Sequence, residues 1–320
     1  MKPGLIAGRQ GVDLRGASAG ANGTFGELLQ GVLPGGTEFL VTLPITVRSL
    51  ASFRLGTDGP LIVYPSHKSK SRAAALRMLE AAEYRGGGTL VIDSAIPTGK
   101  GLASSSADLV ATVRAVGQCL GLATGAEQIA EWIRGIEPTD GVMYPGVVAF
   151  DHRAVRLRQS FGELPPLTVV AVDEGGRVDT VSFNQQYKGY SPAEAQEFAD
   201  LLTAVGEAVP AADLATVGLV CTRSAELNQR LNPKRNLTAL TAISRQIGAL
   251  GVVCTHSGTM LGLLLDAGDI DYAPRLIAAR QACAGLAGRV QVFHTAVPDI
   301  PPPTIPRSDP TLKGTAADAI

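Results

Sequence analysis

Hydrophobic positions recur along the chain with two different spacings. Short apolar runs rich in β-branched residues are typical of buried strands, and they lie at residues 21–33, 38–43, 49–55, 61–64, 89–93, 146–152, 154–158, 167–172 and 290–295, with two more inside 251–265. Hydrophobic residues three and four positions apart predict helices, at residues 68–83, 104–120, 126–136, 193–209, 211–231, 237–250 and 270–284. The interleaved segments indicate a mixed protein but do not determine the order of strands in a sheet.

A break in composition at residues 162–166, Gly-Glu-Leu-Pro-Pro, divides the chain into two lobes. Two prolines and a glycine in so short a stretch favour a linker, and 320 residues are enough for two lobes. The first residues show weak periodicity, and the last are rich in proline. We therefore expect a loose leader at 1–20, an N-terminal lobe at 21–162, a C-terminal lobe at 163–297 and a flexible tail at 298–320.

The composition is that of a globular protein, with 45% hydrophobic and 18% charged residues. Lys and Arg number 28 against 29 Asp and Glu, so charge gives no reason to expect a nucleic acid or a membrane as partner. We see neither a signal peptide nor an apolar stretch long enough to span a bilayer. The cysteines are widely spaced in apolar patterns, without zinc-site spacing: Cys119, Cys221, Cys254 and Cys283. Buried free thiols predict a cytoplasmic setting, where we expect a monomer or a homodimer.

The stretch at residues 96–107, Ile-Pro-Thr-Gly-Lys-Gly-Leu-Ala-Ser-Ser-Ser-Ala, connects a predicted strand to a predicted helix. A helix start offers unpaired N–H groups, glycines let the backbone approach a ligand, and serine hydroxyls add donors. The pattern is not a Walker A loop, since Lys100 is followed by Gly101 rather than Ser or Thr. A flexible turn with a serine cap is the alternative, but the combination favours a phosphate site. Its candidate residues are Pro97, Gly99, Lys100, Gly101, Leu102, Ala103, Ser104, Ser105 and Ser106.

Two carboxylates follow the third predicted helix, in Glu137-Pro-Thr-Asp140. Pro138 ends the helix, so both acids lie at its end and can face one pocket. Phosphoryl transfer needs a magnesium ligand and a group that orients or deprotonates the acceptor hydroxyl. A plain turn capped by Asp140 is the alternative. Beside a phosphate loop we favour the catalytic interpretation, with Lys100 as a mobile cation near the phosphates or, equally, a solvated lysine.

Several other polar residues stand beside glycines and are candidates for holding a substrate. Glu27 and Gln30 lie in the first predicted hairpin and face either a ligand or solvent. Asp173 belongs to an acidic turn that suits a substrate amine or a plain surface hairpin. His256 and Ser257 lie in a tight loop that fits closure over a ligand better than nucleophilic catalysis, which would need an acid at a recognisable spacing. Basic residues at the start of the first predicted helix suit a nucleotide or a solvated face: His67, Lys68, Lys70 and Arg72.

Residues 97–107 resemble the second sequence motif of the GHMP kinases, Pro-x-x-x-Gly-Leu-Gly-Ser-Ser-Ala. Ala103 stands at the third glycine of that motif, and one extra serine precedes Ala107. Residues 22–31 and 255–262 are similar to the first and third blocks of the family. The resemblance implies an ATP-dependent small-molecule kinase of the α+β class. Its N-terminal lobe would be like domain 2 of ribosomal protein S5, with a left-handed βαβ crossover, and its C-terminal lobe would be ferredoxin-like.

Within that family, four segments look like the L-threonine kinases of cobalamin side-chain assembly: residues 26–31, 99–105, 137–140 and 257–262. The similarity implies Ser105 and Glu137 as magnesium ligands. It implies Ser104 and Ser106 beside the phosphates and Asp140 as the base for the acceptor hydroxyl.

The resemblance implies ATP- and Mg²⁺-dependent phosphorylation of L-threonine to O-phospho-L-threonine. The alternatives are another small alcohol, such as homoserine or a specialised metabolite, and a nucleotide-binding relative without catalysis. Retention of both Glu137 and Asp140 favours an enzyme, and a hydrolase using a loop serine lacks a plausible histidine–acid pair. The first block departs from the L-threonine kinase pattern of Pro, a small residue, Ser and Cys, because here it reads Asn22, Gly23, Thr24 and Phe25. If this block lines the acceptor pocket, the bulk of Phe25 implies an acceptor other than threonine.

Overall fold

The computed structural model describes residues 16–176, 189–287 and 289–296. The strands are β1 (Gly16–Val32), β2 (Glu38–Leu55), β3 (Leu61–Tyr64), β4 (Gly88–Ser94), β5 (Val147–Asp151), β6 (Arg156–Gly162), β7 (Leu167–Asp173), β8 (Gly251–Cys254), β9 (Met260–Asp266) and β10 (Val290–His294). The helices are α1 (Ser69–Ala81), α2 (Ser104–Leu120), α3 (Ala126–Ile133), α4 (Pro192–Ala208), α5 (Leu214–Asn228), α6 (Leu237–Ile247) and α7 (Tyr272–Ala287).

The first lobe is built on the long antiparallel pair β1 and β2, which a short turn joins. β4 pairs with β2 in the antiparallel sense. β3 pairs with β4 in the parallel sense, and α1 connects the two strands. α2 packs against β1, β2 and α1, and its residues are buried through most of its length. The helix that begins at the predicted phosphate loop is therefore the central helix of this lobe.

The second lobe carries four antiparallel strands in the order β10-β7-β9-β8. Alternate residues of β7 face two hydrophobic clusters: Val170 and Val172 pack with α6 and α7, whereas Val169 and Ala171 belong to a core shared with the first lobe. β8 also pairs with β1, opposite Glu27, so the ten strands of the described part of the chain form one continuous sheet across both lobes. The α+β fold with two lobes is as predicted.

Two details of the predicted elements are wrong. β1 begins at Gly16, so residues 16–20 form strand rather than part of a loose leader. β2 is one strand of 18 residues, although the pattern predicted two. Pro44 interrupts the hydrophobic alternation there, and it sits opposite Thr24 between two register shifts, where a proline is tolerated in a sheet. The rest of the predicted leader, the predicted tail and residues 177–183 of the predicted acidic turn lie outside the described residues.

None of the helices in the described part of the chain is long and apolar enough to cross a membrane.

Candidate active site

The loop between β4 and α2 contains backbone conformations that residues other than glycine rarely adopt. Gly99 has φ of 74° and Gly101 has φ of 77°, both in the left-handed region that glycine adopts without strain. Ala103, the residue before α2, also has positive φ, at 58°, which costs an alanine about 1–2 kcal/mol. Ala103 gives the helix no side-chain cap, so the first N–H groups of α2 are available to an anion.

Three loops that are distant in sequence lie so close together that their backbones are in contact. A Cβ on Gly258 would lie 2.0 Å from the carbonyl oxygen of Lys100, and one on Gly101 would lie 2.6 Å from Cβ of Thr255. The N–H of Gly26 donates to the carbonyl of Gly101 at 3.1 Å. The three blocks that resemble the GHMP family therefore meet at one place, and glycine is required at these contacts.

A cavity of about 260 Å³ lies where these loops meet. Its wall consists of the phosphate loop, the two predicted catalytic acids and residues from four other segments, namely Glu27, Lys70, Pro97, Thr98, Gly99, Gly101, Leu102, Ala103, Ser104, Ser105, Ser106, Glu137, Pro138, Asp140, His152 and Ser257. Most of the predicted nucleotide, metal and acceptor residues thus share one cavity.

Ser105 and Glu137, the two predicted metal ligands, contact each other. The hydroxyl of Ser105 donates to Oε1 of Glu137 at 2.5 Å, and the ammonium of Lys70 pairs with Oε2 of the same carboxylate. Hydroxyl and carboxylate oxygens are ligands that Mg²⁺ takes, and few are needed because waters and phosphates complete its octahedron. The donor set therefore fits magnesium. In the described residues, no group of three or more His, Cys, Asp and Glu side chains is arranged to hold a metal by itself.

Asp140 is held beside the first turn of α2. The hydroxyl of Ser106 donates to its carboxylate at 3.1 Å, and its backbone N–H donates to that hydroxyl at 3.2 Å. The turn is anchored by the N–H of Thr139, which donates to the carbonyl of His152 at the end of β5. Burial, together with the negative charge of Glu27, raises the pKa of Asp140 to about 7. A carboxyl with this pKa can take up and release a proton near neutral pH.

Glu27 is positioned from behind by a buried network. His256 donates to its Oε2 through the backbone N–H at 3.2 Å and contacts it through Nδ1 at 2.8 Å, while Nε2 meets the hydroxyl of Ser224 at 2.8 Å. Burial alone would lower the pKa of His256, but Cys254 and Glu27 outweigh it and raise that pKa to about 9. A charged imidazole therefore holds the carboxylate at the wall of the cavity.

Four of the predicted site residues do not line this cavity. Lys100 and Asp173 form an ion pair at 2.6 Å, and Lys100 also donates to the carbonyl of Gly176, so the predicted catalytic lysine joins the two lobes. Gln30 is buried, with its N–H donating to Ser224. His256 is buried and contacts Glu27 on the side away from the cavity, so it does not form part of the cavity wall.

Phe25 does not line this cavity, so the condition under which its bulk would exclude threonine is not met. Its side chain is fully buried, its ring centroid lies 5.3 Å from that of Phe293, and it packs under Gly262. Phe25 belongs to the core shared by the lobes. Its size therefore says nothing about the acceptor.

Sequence reasoning missed His152 as a cavity residue and left the role of Lys70 open. His152 is buried at the end of β5, next to Asp151. A histidine directly after an apolar strand is a weak signal, and only the fold brings it to the turn at Glu137. The basic start of α1 was the available signal for Lys70, and the ion pair with Glu137 places that lysine in the site.

One serine of the second lobe has the neighbours of a hydrolase nucleophile. The chain does contain a histidine–acid pair, since Ser224, His256 and Glu27 form a serine–histidine–carboxylate array. Ser224 is completely buried and its hydroxyl accepts the N–H of Gln30. A substrate cannot reach it, so the array is structural.

Comparison with known proteins agrees with the geometry. Residues 69–146 match the family model described as the GHMP kinases N terminal domain. The L-threonine kinase of Salmonella typhimurium is 30% identical over 256 residues, covering 78% of this chain and 82% of that protein. The L-threonine kinase of Citrobacter freundii is 29% identical over 255 residues, covering 77% and 86%. The chain belongs to the GHMP kinase family, and it is a kinase. Within the family it is similar to L-threonine kinases, and the resemblance found in the sequence is confirmed.

Solved structures support the fold alone. A homoserine kinase from Cytophaga hutchinsonii superposes with a TM-score of 0.69 at 15% identity, over 91% of this chain and 98% of that one. Lactococcus lactis galactokinase, solved with galactose, gives a TM-score of 0.66 at 13% identity, over 88% and 93%. The two-lobed GHMP kinase fold therefore spans most of the chain.

Proposed function

We propose that this kinase transfers the γ-phosphate of ATP to the hydroxyl of L-threonine in a Mg²⁺-dependent reaction that gives O-phospho-L-threonine and ADP. The observation that carries the proposal is the single cavity in which the first turn of α2, the Ser105–Glu137 pair and the Asp140 carboxyl face one another. The similarity to L-threonine kinases supports the choice of acceptor.

In the proposed step, the acceptor oxygen forms a bond to the γ-phosphorus while the bond from that phosphorus to the β,γ-bridging oxygen breaks. Asp140 orients the acceptor hydroxyl and accepts its proton, and ADP leaves with the bridging oxygen. The N–H groups at the start of α2 and the hydroxyls of Ser104 and Ser106 hold phosphate oxygens. Asp140 suits this role because its pKa of about 7 makes it an effective base at neutral pH.

Ser105 and Glu137 are the residues proposed to hold Mg²⁺. The bound ion would offset negative charge on the phosphates. Lys70 contacts the same carboxylate, so it helps to orient Glu137 beside Ser105.

Glu27 and Ser257 are proposed to contact the acceptor. Both line the cavity near Asp140, and His256 holds the side chain of Glu27 in place. A carboxylate at this position fits the ammonium group of an amino acid. The N-terminal lobe at 21–162 would bind the nucleotide, and the C-terminal lobe at 163–297 would supply Ser257.

The test is ADP release by the purified chain with ATP and Mg²⁺, in the presence of L-threonine, L-serine or L-homoserine. The proposal expects release that depends on L-threonine, with O-phospho-L-threonine identified by mass spectrometry. Release with only homoserine or another alcohol would keep the kinase and overturn the acceptor. No release with any acceptor, together with saturable ATP binding, would favour a non-catalytic relative.

A cytoplasmic role in cobalamin side-chain assembly belongs to the same proposal. It depends on O-phospho-L-threonine being the product.

A further inference from the structure

A second cavity, of about 400 Å³, lies next to the segment 141–146 that follows Asp140. Its wall shares no residue with the cavity at the phosphate loop. Arg114 lies eight residues after Ser106 on α2, so it is about 12 Å further along the helix. The second cavity is therefore separate from the site of phosphoryl transfer, although one loop borders both.

Two guanidinium groups converge in this cavity, above Gly20. Arg114 donates from Nη1 to the carbonyl of Gly20 at 2.7 Å, and a Cβ on Gly20 would lie 3.4 Å from Nη2 of Arg48. Asn22 pairs with Arg48 across β1 and β2 and also lines the cavity. Two cations and an amide therefore share a small area of the wall.

The positive charges of Arg48 and Arg114 repel each other. Burial, and then the charge of Arg48, lowers the pKa of Arg114. Arg114 otherwise donates to the carbonyls of Gly20 and Met143, and no carboxylate of residues 16–176, 189–287 or 289–296 forms an ion pair with it. A half-buried guanidinium of this kind has donors left to offer, because it carries five N–H groups in a planar fork.

Among the described residues of the wall, the third charged side chain is that of Glu163, so the formal charges of these three side chains sum to +1. Burial raises the pKa of Glu163, which reduces its negative charge near its ordinary titration range. The electrostatic balance favours a negatively charged ligand over a cation.

We propose that this cavity binds a small organic anion, whose carboxylate or phosphate lies between Arg48 and Arg114. Guanidinium groups bind both kinds of anion through paired hydrogen bonds. The volume is that of a small-molecule site rather than of an inorganic ion, and Pro44, Val142 and Met143 give the wall an apolar part that suits a carbon skeleton. This site is independent of the proposed acceptor.

The experiment is isothermal titration calorimetry of the full chain with its nucleotide site saturated by Mg²⁺ and ADP. The probes are malonate, as a carboxylate, and glycerol 3-phosphate, as a phosphate ester. We expect saturable one-site binding of at least one probe. Arg114→Gln and Arg48→Gln should each weaken binding at least about tenfold, because each removes charge-assisted hydrogen bonds. The matched control is Arg280→Gln, which changes an exposed arginine of α7 and should leave the affinity unchanged.

Binding of malonate alone, glycerol 3-phosphate alone or both would each support the site and identify the favoured anion. Absence of saturable binding of either probe to the wild-type chain would overturn the proposal, as would affinity that survives both substitutions. If Arg114→Gln lowers the melting temperature so far that the chain does not fold, Arg48→Gln decides. The experiment measures anion binding and not ADP release, so a negative result would not bear on the proposed kinase reaction.

Discussion

At the residue scale, Asp140, the proposed base, lies in an environment that disfavours its charged form. Its carboxyl lies beside Ser106 and near the negative charge of Glu27, and its pKa is raised from 3.8 to about 7. The folded chain therefore binds this proton more tightly than the unfolded chain does. The stability that the protonated carboxyl contributes is complete below about pH 4 and is lost as the pH rises through about 7.

We predict that Asp140→Asn lowers kcat by about 10²–10⁴-fold, because a neutral amide cannot accept the hydroxyl proton. ATP affinity should stay close to that of the wild type. In the wild type, kcat/KM should rise with pH through about 7 as Asp140 loses its proton, and steady-state kinetics between pH 5 and 9 would measure this. The variant should also lack the loss of melting temperature that the wild type shows over the same range.

Asp93→Asn provides the control, because Asp93 is an exposed aspartate of β4. Near-normal turnover in Asp140→Asn would remove Asp140 from the role of base.

Glu137 is the second residue at this scale, since its two carboxylate oxygens divide between Ser105 and Lys70. We predict that Glu137→Gln shifts the Mg²⁺ titration of ADP release to concentrations at least about tenfold higher, because a carboxylate ligand is replaced by a neutral amide. Glu131→Gln, at an exposed position of α3, should leave the titration unchanged. An unaltered titration in Glu137→Gln would count against its role as a ligand.

At the element scale, the loop between β8 and β9 supports the phosphate loop through backbone contact. Gly258 lies so close to Lys100 that an added Cβ would be 2.0 Å from the carbonyl oxygen. The amide of Asn232 and the ammonium of Lys234 both donate to the carbonyl of Gly258, which fixes this loop from the other side. The loop cannot retreat without breaking these bonds.

We predict that Gly258→Ala destabilises the fold by about 1–3 kcal/mol, as overpacking does, and weakens ATP binding because the phosphate loop must shift. Gly285→Ala is the matched control: Gly285 lies in α7, where an added Cβ meets nothing within 4 Å. That substitution should stabilise the fold by about 0.5–1 kcal/mol, the helical preference of Ala over Gly. Thermal unfolding and nucleotide titration of both variants would measure these effects. If the two variants had the same melting temperature and nucleotide affinity, the contact between Gly258 and Lys100 would not support the phosphate loop.

Elements with a local cause were predictable from the sequence. The phosphate loop and α2 follow from a proline, glycines and serines beside a helical pattern, and the acid turn follows from Pro138. The contacts that assemble the site were not predictable, because they join distant segments. Glu27 and His256 are 229 positions apart, and the ion pair of Lys70 with Glu137 needs α1 to pack beside α3. The burial of Phe25 was not predictable for the same reason, because its position in the motif gave no information about Phe293 and the core around it.

At the scale of the whole molecule, the two lobes share one sheet and one core. β1 contributes to the first lobe through β2 and to the second through β8, and the cluster that contains Phe25 also contains Val116 and Phe293. The pairs formed by Lys100 with Asp173 and by Glu27 with His256 join the same two lobes. The lobes therefore support each other's folded state.

We predict that both lobes unfold in one cooperative transition. Trp132 is the only tryptophan of the chain and reports on the first lobe, and the buried thiol of Cys283 reports on the second. Trp fluorescence and pulsed thiol labelling read by peptide mass spectrometry should give the same midpoint in urea. Labelling of Cys119 in the first lobe provides the internal control. Labelling of Cys283 at clearly lower urea than the fluorescence change would mean that the lobes unfold separately.

The separation of Glu27 from His256 along the chain also sets an order of events during synthesis. A ribosome adding 5–20 residues per second needs roughly 10–50 seconds to pass from one of these residues to the other. Throughout that interval the emerging β1 has no β8 to pair with, and the phosphate loop has no Gly258 beneath it. If the proposed ATP site needs Gly258 beneath the phosphate loop, we expect it to be completed only after the loop between β8 and β9 has been translated.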